Sequence, residues 1–148
     1  LRSAGLRVST IKHAHHGLDL DQPGKDSFRH REAGAEEVLV VGGQRWALLR
    51  EATDAAPDPV ALAARLAPVD LVLIEGFKAT PIDKIEVHRA GLGKPALWPE
   101  QDGIVAVASD APLDCPHPLL PLNDAAEIAR WIVAWLERPY APPSAAPI

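Results

Sequence analysis

The 148-residue chain sets 15 lysines and arginines against 20 aspartates and glutamates, for a net charge of −5, with 47% hydrophobic residues and one cysteine. That length fits one domain with a sizeable core, and the acidity argues against a general nucleic-acid binder, which would carry a basic face. One cysteine, Cys115, excludes an intrachain disulfide and fits a reducing compartment, and no apolar run approaches the roughly 20 residues that span a bilayer. With no charged-then-apolar leader in view, a cytoplasmic protein without membrane or nucleic-acid partners is expected.

The first residues, Leu1-Arg-Ser-Ala-Gly5-Leu6, read as the last turn of a helix with Gly5 as a left-handed C-cap. A strand over 7–12 follows at once. A helix that feeds a parallel strand has an earlier strand before it, so a strand, a loop and most of a helix are expected ahead of Leu1, roughly 20–30 residues by the size of a βαβ unit. Residues 27–33 predict a short helix capped by Ser27 or Asp26 and stopped by Gly34. Residues 37–42 predict a buried strand, and 44–50 a strand turning back from it through Gly42-Gly43. Asp58-Pro59 opens a helix to about Leu66, with a cap and an N1 proline. Strands are expected at 71–74, 84–88 and 104–108, with a loop over 91–103 and a short edge strand at Leu119-Leu120. Asn123 is expected to cap the last helix, whose apolar stripe is Ile128, Trp131, Ile132, Trp135 and Leu136. Of the four tryptophans, Trp46, Trp131 and Trp135 are assigned to packing, and Trp98, between prolines, to the surface. These elements predict a single α/β domain over 1–138, its mostly parallel twisted sheet covered by helices, with a small antiparallel element. The Pro/Ala-rich tail, 139–148, is expected to be disordered.

Chemistry gathers in two segments. Ile11-Lys-His-Ala-His-His16 and Asp21-Gln-Pro-Gly-Lys-Asp-Ser27, with Asp19 between them, place three imidazoles, two lysines and three carboxylates within 11–27, directly after a strand. Loops at strand ends carry function because a rigid sheet aims them. Three readings of His13, His15 and His16 stay open: a metal site, a solvated polar loop, or an anion-binding surface shared with Lys12 and Lys25. Asp21, Lys25, Asp26 and Ser27 have the makings of a switch loop around Mg²⁺ and phosphate, although Pro23-Gly24 can equally be a plain turn and Asp26 or Ser27 a helix cap. The second segment, Asp70-Leu-Val-Leu-Ile-Glu75-Gly-Phe-Lys78, is a buried strand ending in an acid. That is the Walker-B arrangement, in which Glu75 holds Mg²⁺ or positions an attacking water while Gly76 lets backbone approach a ligand. A carboxylate that merely caps a neighbour fits the same pattern. The partner motif, G-x-x-x-x-G-K-[ST], is missing from this stretch of sequence: Gly24-Lys25 is followed by Asp26 with Asp19 at the upstream glycine position, and Gly93-Lys94 is followed by Pro95. Ser109-Asp110 leaves a buried strand, where Asp110 either reads guanine's N1–H and amine or caps a turn.

With these residues in view the chain resembles the molybdopterin-guanine dinucleotide biosynthesis protein B (MobB) family. The resemblance rests on the two segments above together with Ala33-Gly-Ala35, Gln44-Arg-Trp-Ala47, Lys84-Ile-Glu-Val87 and Ala106-Val-Ala-Ser-Asp110, in order along the chain. It implies a P-loop NTPase-like fold that binds GTP with Mg²⁺, a homodimer, weak GTPase activity at most, and assistance to the guanylyltransferase that converts molybdopterin into its guanine dinucleotide. It implies a catalytic role for Glu75; nucleotide or Mg²⁺ contacts from Asp21, Lys25, Asp26, Ser27, Glu75, Gly76 and Asp110; and cofactor or anion contacts from Lys12, His13, His15, His16 and Lys78. Two other functions fit the residues, a metal-handling GTPase-like chaperone using His13, His15 and His16, and a binding module without hydrolysis.

Overall fold

The computed structural model describes residues 1–14, 20–51 and 57–139. His15, His16 and the tail from 140 onward, each the subject of an expectation above, lie outside the described residues. Seven strands and three α-helices occur among the described residues: β1 (Val8–Lys12), α1 (Asp26–Glu32), β2 (Glu37–Val41), β3 (Trp46–Arg50), α2 (Pro59–Ala63), β4 (Leu71–Glu75), β5 (Lys84–His88), β6 (Ile104–Ser109), β7 (Leu119–Pro121) and α3 (Ala125–Leu136). They form three small sheets, β1-β4, β2-β3 and β5-β6-β7. The chain folds as two compact units. One comprises Leu1–Ser9, Val69–Leu71 and Lys78–Ile148, and the other Thr10–Pro68 and Val72–Phe77.

In the first unit, a 3-10 turn (Arg2–Ala4) closes on Gly5 at φ 85°, the left-handed stop that its glycine predicts. The Asp70 and Leu71 amides then donate to the Arg7 carbonyl. β6 lies between β5 and β7, parallel to both. Ala106, Val107 and Ala108 are wholly buried, as a continuous apolar run in a central parallel strand requires. Ile85, Leu122, Ile128 and Trp131 pack around the Ala106, Ala108 and Leu120 core, which seats α3 on the sheet. Full burial of a side chain such as Leu120 contributes about 1.5–3 kcal/mol. Asp124, rather than the expected Asn123, caps α3; its side chain accepts the Glu127 amide. The Asn-Asp pair offers two cap-capable residues in a row, and the chain turns in at the second.

The second unit holds the α1 helix and the β2-β3 hairpin. Lys25, not Asp26 or Ser27, occupies the N-cap position of α1, without a side-chain cap bond. Asp26 instead stands in the first turn, where a carboxylate suits the positive end of the helix. In the hairpin, Glu37 pairs with Arg50 and Val41 with Trp46, and the Gly42 amide closes the turn on the Arg45 carbonyl at 2.8 Å. The expectation that 37–42 is a buried strand fails, since only Val38 is buried. One face carries Val38, Val40, Ala47 and Leu49; the other carries Leu39, Val41, Trp46 and Leu48. Trp46 is 68% exposed, which also overturns its assignment to packing. α2 starts as predicted, with Asp58 accepting the Val60 and Ala61 amides, but ends at Ala63 rather than near Leu66.

Candidate functional site

Backbone bonds at both ends show that β1 and β4 run parallel: Arg7 accepts from Asp70 and Leu71, and the His13 amide donates to the Glu75 carbonyl at 2.9 Å. Their carboxyl ends therefore lie side by side, the position at which parallel α/β sheets bind ligands. Four of the expected site residues meet there. Lys12 Nζ bonds both oxygens of Glu75, at 2.8 and 3.0 Å, with the two side chains 69% and 70% exposed. An ion pair so open to water contributes about 0–1 kcal/mol. The His13 ring stacks on Phe77 with centroids 4.5 Å apart and planes 23° apart. Gly76 and Phe77 have φ of 94° and 49°, and Phe77 is the only non-glycine residue with positive φ among those described. A Cβ on Gly76 would stand 2.7 Å from the His13 Cβ, so glycine is required twice here, by conformation and by space. Phe77, a non-glycine residue held at positive φ at a strand end, is strain of the kind that gathers at functional sites. The strand itself is half-buried, more open than its apolar sequence suggests. Lys78, exposed, lies in the turn that follows.

The expected switch-loop residues are arranged differently. Asp21 is 9% exposed and receives the Arg31 Nε and Nη2 donors at 3.2 Å each, while Arg31 Nη1 reaches Glu51 at 2.8 Å. The hydrogen bonds to Asp21, then to Glu51, raise the Arg31 pKa above its ordinary value. Its guanidinium also lies over the Phe28 ring. Asp21 thus holds an arginine with both carboxylate oxygens. Lys25, Asp26 and Ser27 sit at the start of α1, and among the described residues no three His, Cys, Asp or Glu side chains gather into a metal site.

In the first unit, Asp110 Oδ1 accepts the Ala90 amide at 3.0 Å and Oδ2 stands 3.9 Å from Arg89, so the carboxylate anchors the chain leaving β5. Glu86, buried on β5, accepts the Leu97 amide on one oxygen and the Trp98 amide on the other. It pins the 91–103 loop to the sheet and turns Trp98, expected at the surface, edge-on against His88. Arg7 meets Asp70 through its backbone amide and its guanidinium, which lowers the Asp70 pKa; the side-chain bond is the larger cause. Sequence reasoning passed over Arg31, Phe77 and Glu86. None of the three carried a signal in the sequence, and Glu86 stands at a polar position of an alternating strand, where exposure is the expected outcome.

The sequence profile of the family described as molybdopterin guanine dinucleotide synthesis protein B matches residues 1–110. The chain belongs to the MobB family. The molybdopterin-guanine dinucleotide biosynthesis adapter protein of Escherichia coli (strain K12) is 42% identical over 142 residues, 93% of this chain and 81% of that protein. The protein of the same description from Haemophilus influenzae is 42% identical over 137 residues, 88% of this chain and 74% of that one. Among solved structures, a crystal structure of molybdopterin-guanine biosynthesis protein B (mobB) superposes with a TM-score of 0.69 at 25% identity, covering 90% of this chain and 84% of that one. The MobB protein homolog from Bacillus stearothermophilus gives 0.60 at 27% identity, covering 91% and 81%. The α/β, P-loop NTPase-like fold class expected from the sequence is thus the fold of MobB, with its parallel strand pairs and one small antiparallel element.

Proposed function

We propose that this MobB chain is a cytoplasmic adapter in molybdenum cofactor biosynthesis. In this reading it handles GTP with Mg²⁺ and assists a guanylyltransferase that forms molybdopterin guanine dinucleotide. The observation that carries the reading is the Lys12–Glu75 pair at the carboxyl ends of two adjacent parallel strands. Mg²⁺ prefers one or two carboxylates, several waters and the phosphates of its nucleotide to a closed protein cage. An exposed carboxylate open to waters and phosphate meets that preference, so Glu75 fits as the acid facing the metal, and the Lys12 ammonium, which cannot ligate a cation, fits as a phosphate contact. The metal, when bound, neutralises charge on the phosphate oxygens. Asp21 fits the metal poorly because its side chain is nearly buried and a rigid guanidinium fork holds both of its oxygens, whereas the Lys12–Glu75 pair is open to water. Lys25, Asp26, Ser27 and Lys78 remain contacts of this reading on motif position alone, as does Asp110, whose carboxylate would accept guanine's N1–H and amine. Names of relatives support the adapter role, and molybdopterin or its guanine dinucleotide as the cargo. The homodimer of this reading is supported by the open apolar face of the β2-β3 hairpin, closed at one end by the Glu37–Arg50 ion pair. That face matches itself under a twofold rotation, apolar to apolar and acid to base.

The test is Mg²⁺-dependent GTP turnover and GTP affinity in the purified protein and in Glu75→Gln. Turnover is expected to fall at least about tenfold, or about 1.4 kcal/mol of transition-state stabilisation, with a smaller change in affinity. Unchanged turnover would make Glu75 structural, and binding without any turnover would leave a non-hydrolysing module.

A further inference from the structure

We propose that the Lys12–Glu75 pair is an exchange device linking anion binding to cation binding. Lys12 occupies the Glu75 carboxylate until a phosphoryl group takes the ammonium, and the freed carboxylate then accepts a divalent cation. The inference rests on the nucleotide reading of these strand ends and adds to it the order of events within the site.

Four observations support it. Lys12 engages both oxygens of Glu75, so a cation at that carboxylate meets the ammonium first. Both side chains are more than two-thirds exposed, so solutes reach them and little stability opposes the exchange. Asp21 in the same unit is the contrast: its side chain is 9% exposed and held by a rigid guanidinium fork, an arrangement built to persist. Lastly, the backbone beneath Lys12 and Glu75 is fixed by the His13 amide on the Glu75 carbonyl and by the close approach of His13 to Gly76. The exchange therefore swaps side-chain partners over a stationary pair of strand ends.

Each ligand must break the same pair, so whichever binds second finds it already broken. The coupling is reciprocal and bounded by the strength of the pair, about two- to fivefold in affinity. To keep Mn²⁺ and the anion from binding each other in solution, each is titrated alone. Mn²⁺ is followed by paramagnetic resonance, and inorganic pyrophosphate by calorimetry with a chelator present. Lys12→Met is expected to tighten Mn²⁺ about two- to fivefold and to weaken pyrophosphate. Glu75→Gln is expected to do the reverse, by a similar factor. Lys12→Arg keeps the charge but puts a guanidinium fork on Glu75, and should weaken Mn²⁺ relative to wild type, opposite in sign to Lys12→Met. Arg65→Gln removes one positive charge from another exposed position and serves as the control for net charge. The exchange is overturned if Lys12→Met leaves Mn²⁺ affinity unchanged, if Glu75→Gln leaves pyrophosphate affinity unchanged, or if Arg65→Gln reproduces the Lys12→Met effect. Each residue needed for its own ligand with no cross-effect would overturn the exchange alone. A wild-type protein that binds neither ligand would overturn the nucleotide reading along with it.

Discussion

Replacing Gly76 by alanine tests the geometry of the strand ends directly. Two costs add at this position. An L-residue forced to the left-handed side, at φ 94°, loses roughly 1–2 kcal/mol. The new Cβ would lie 2.7 Å from the His13 Cβ, far inside ordinary carbon–carbon contact, and because that neighbour is itself a Cβ the backbone must shift, which costs roughly 1–3 kcal/mol. Gly76→Ala is thus expected to destabilise the protein by about 2–5 kcal/mol, a large share of the 5–15 kcal/mol typical of a domain. A double-mutant cycle separates the two costs. In a His13→Gly background the clashing atom is gone, and only the backbone cost of about 1–2 kcal/mol should remain. In a His13→Ala background the Cβ stays while the stack on Phe77 is lost, so the full penalty should persist. The assay is urea unfolding followed by circular dichroism at 25 °C, with slopes compared so that midpoints convert to free energies. An equal penalty in the wild-type and His13→Gly backgrounds would refute the steric half of the argument. A penalty below about 1 kcal/mol in wild type would refute both halves.

Two further outcomes are expected. Because Arg7 lowers the Asp70 pKa, the pair's stabilisation is complete above the unfolded carboxyl's value, about 3.9, and is lost as pH falls through the lower folded value. Asp70→Asn should therefore be less stable than wild type at neutral pH, with the difference shrinking in acid; urea titrations at several pH values that gave a constant difference would count against the pairing. Glu86→Gln puts an amide N–H₂ against either the Leu97 or the Trp98 amide, leaving a buried donor unmet at a cost of about 1–3 kcal/mol, and hydrogen exchange at those two amides should speed up, whereas unchanged exchange would mean that the loop holds itself.

The elements were legible where local rules act alone. Gly42-Gly43 in the hairpin turn, Asp58-Pro59 at the start of α2 and the unbroken apolar run of β6 each name their structure, because turn chemistry, capping and double-sided burial are written in neighbouring residues. The misreadings lie where one local pattern has two outcomes. β2 is as continuously apolar as β6, yet it sits in a hairpin with one face open. Asn123 and Asp124 can both cap, as can Asp26 and Ser27, and composition does not say where the chain turns in. In β5 the alternation points the wrong way: Val87 is 65% exposed while Glu86 is buried, because the loop's two amides need an acceptor beneath them. For the site, sequence placed Lys12 and Glu75 each at a strand end, but their pairing depends on β1 and β4 being neighbours across 63 residues, which no local pattern encodes. Arg31 was hidden for the same reason, since an arginine on a short helix reads as solubility until Asp21 and Glu51 are seen on its guanidinium.

The tryptophans give the two units separate optical voices. Trp131 and Trp135 lie 5.1 Å apart with planes 17° from parallel, close enough for their transitions to couple and to sign the near-ultraviolet dichroism of α3 in the first unit. Trp46 faces water on the hairpin of the second unit, so it should emit at long wavelength already in the folded protein and change little on unfolding. The fluorescence change on unfolding therefore comes mainly from Trp98, Trp131 and Trp135 of the first unit, and its agreement with far-ultraviolet dichroism, which both units share, tests for a single cooperative transition.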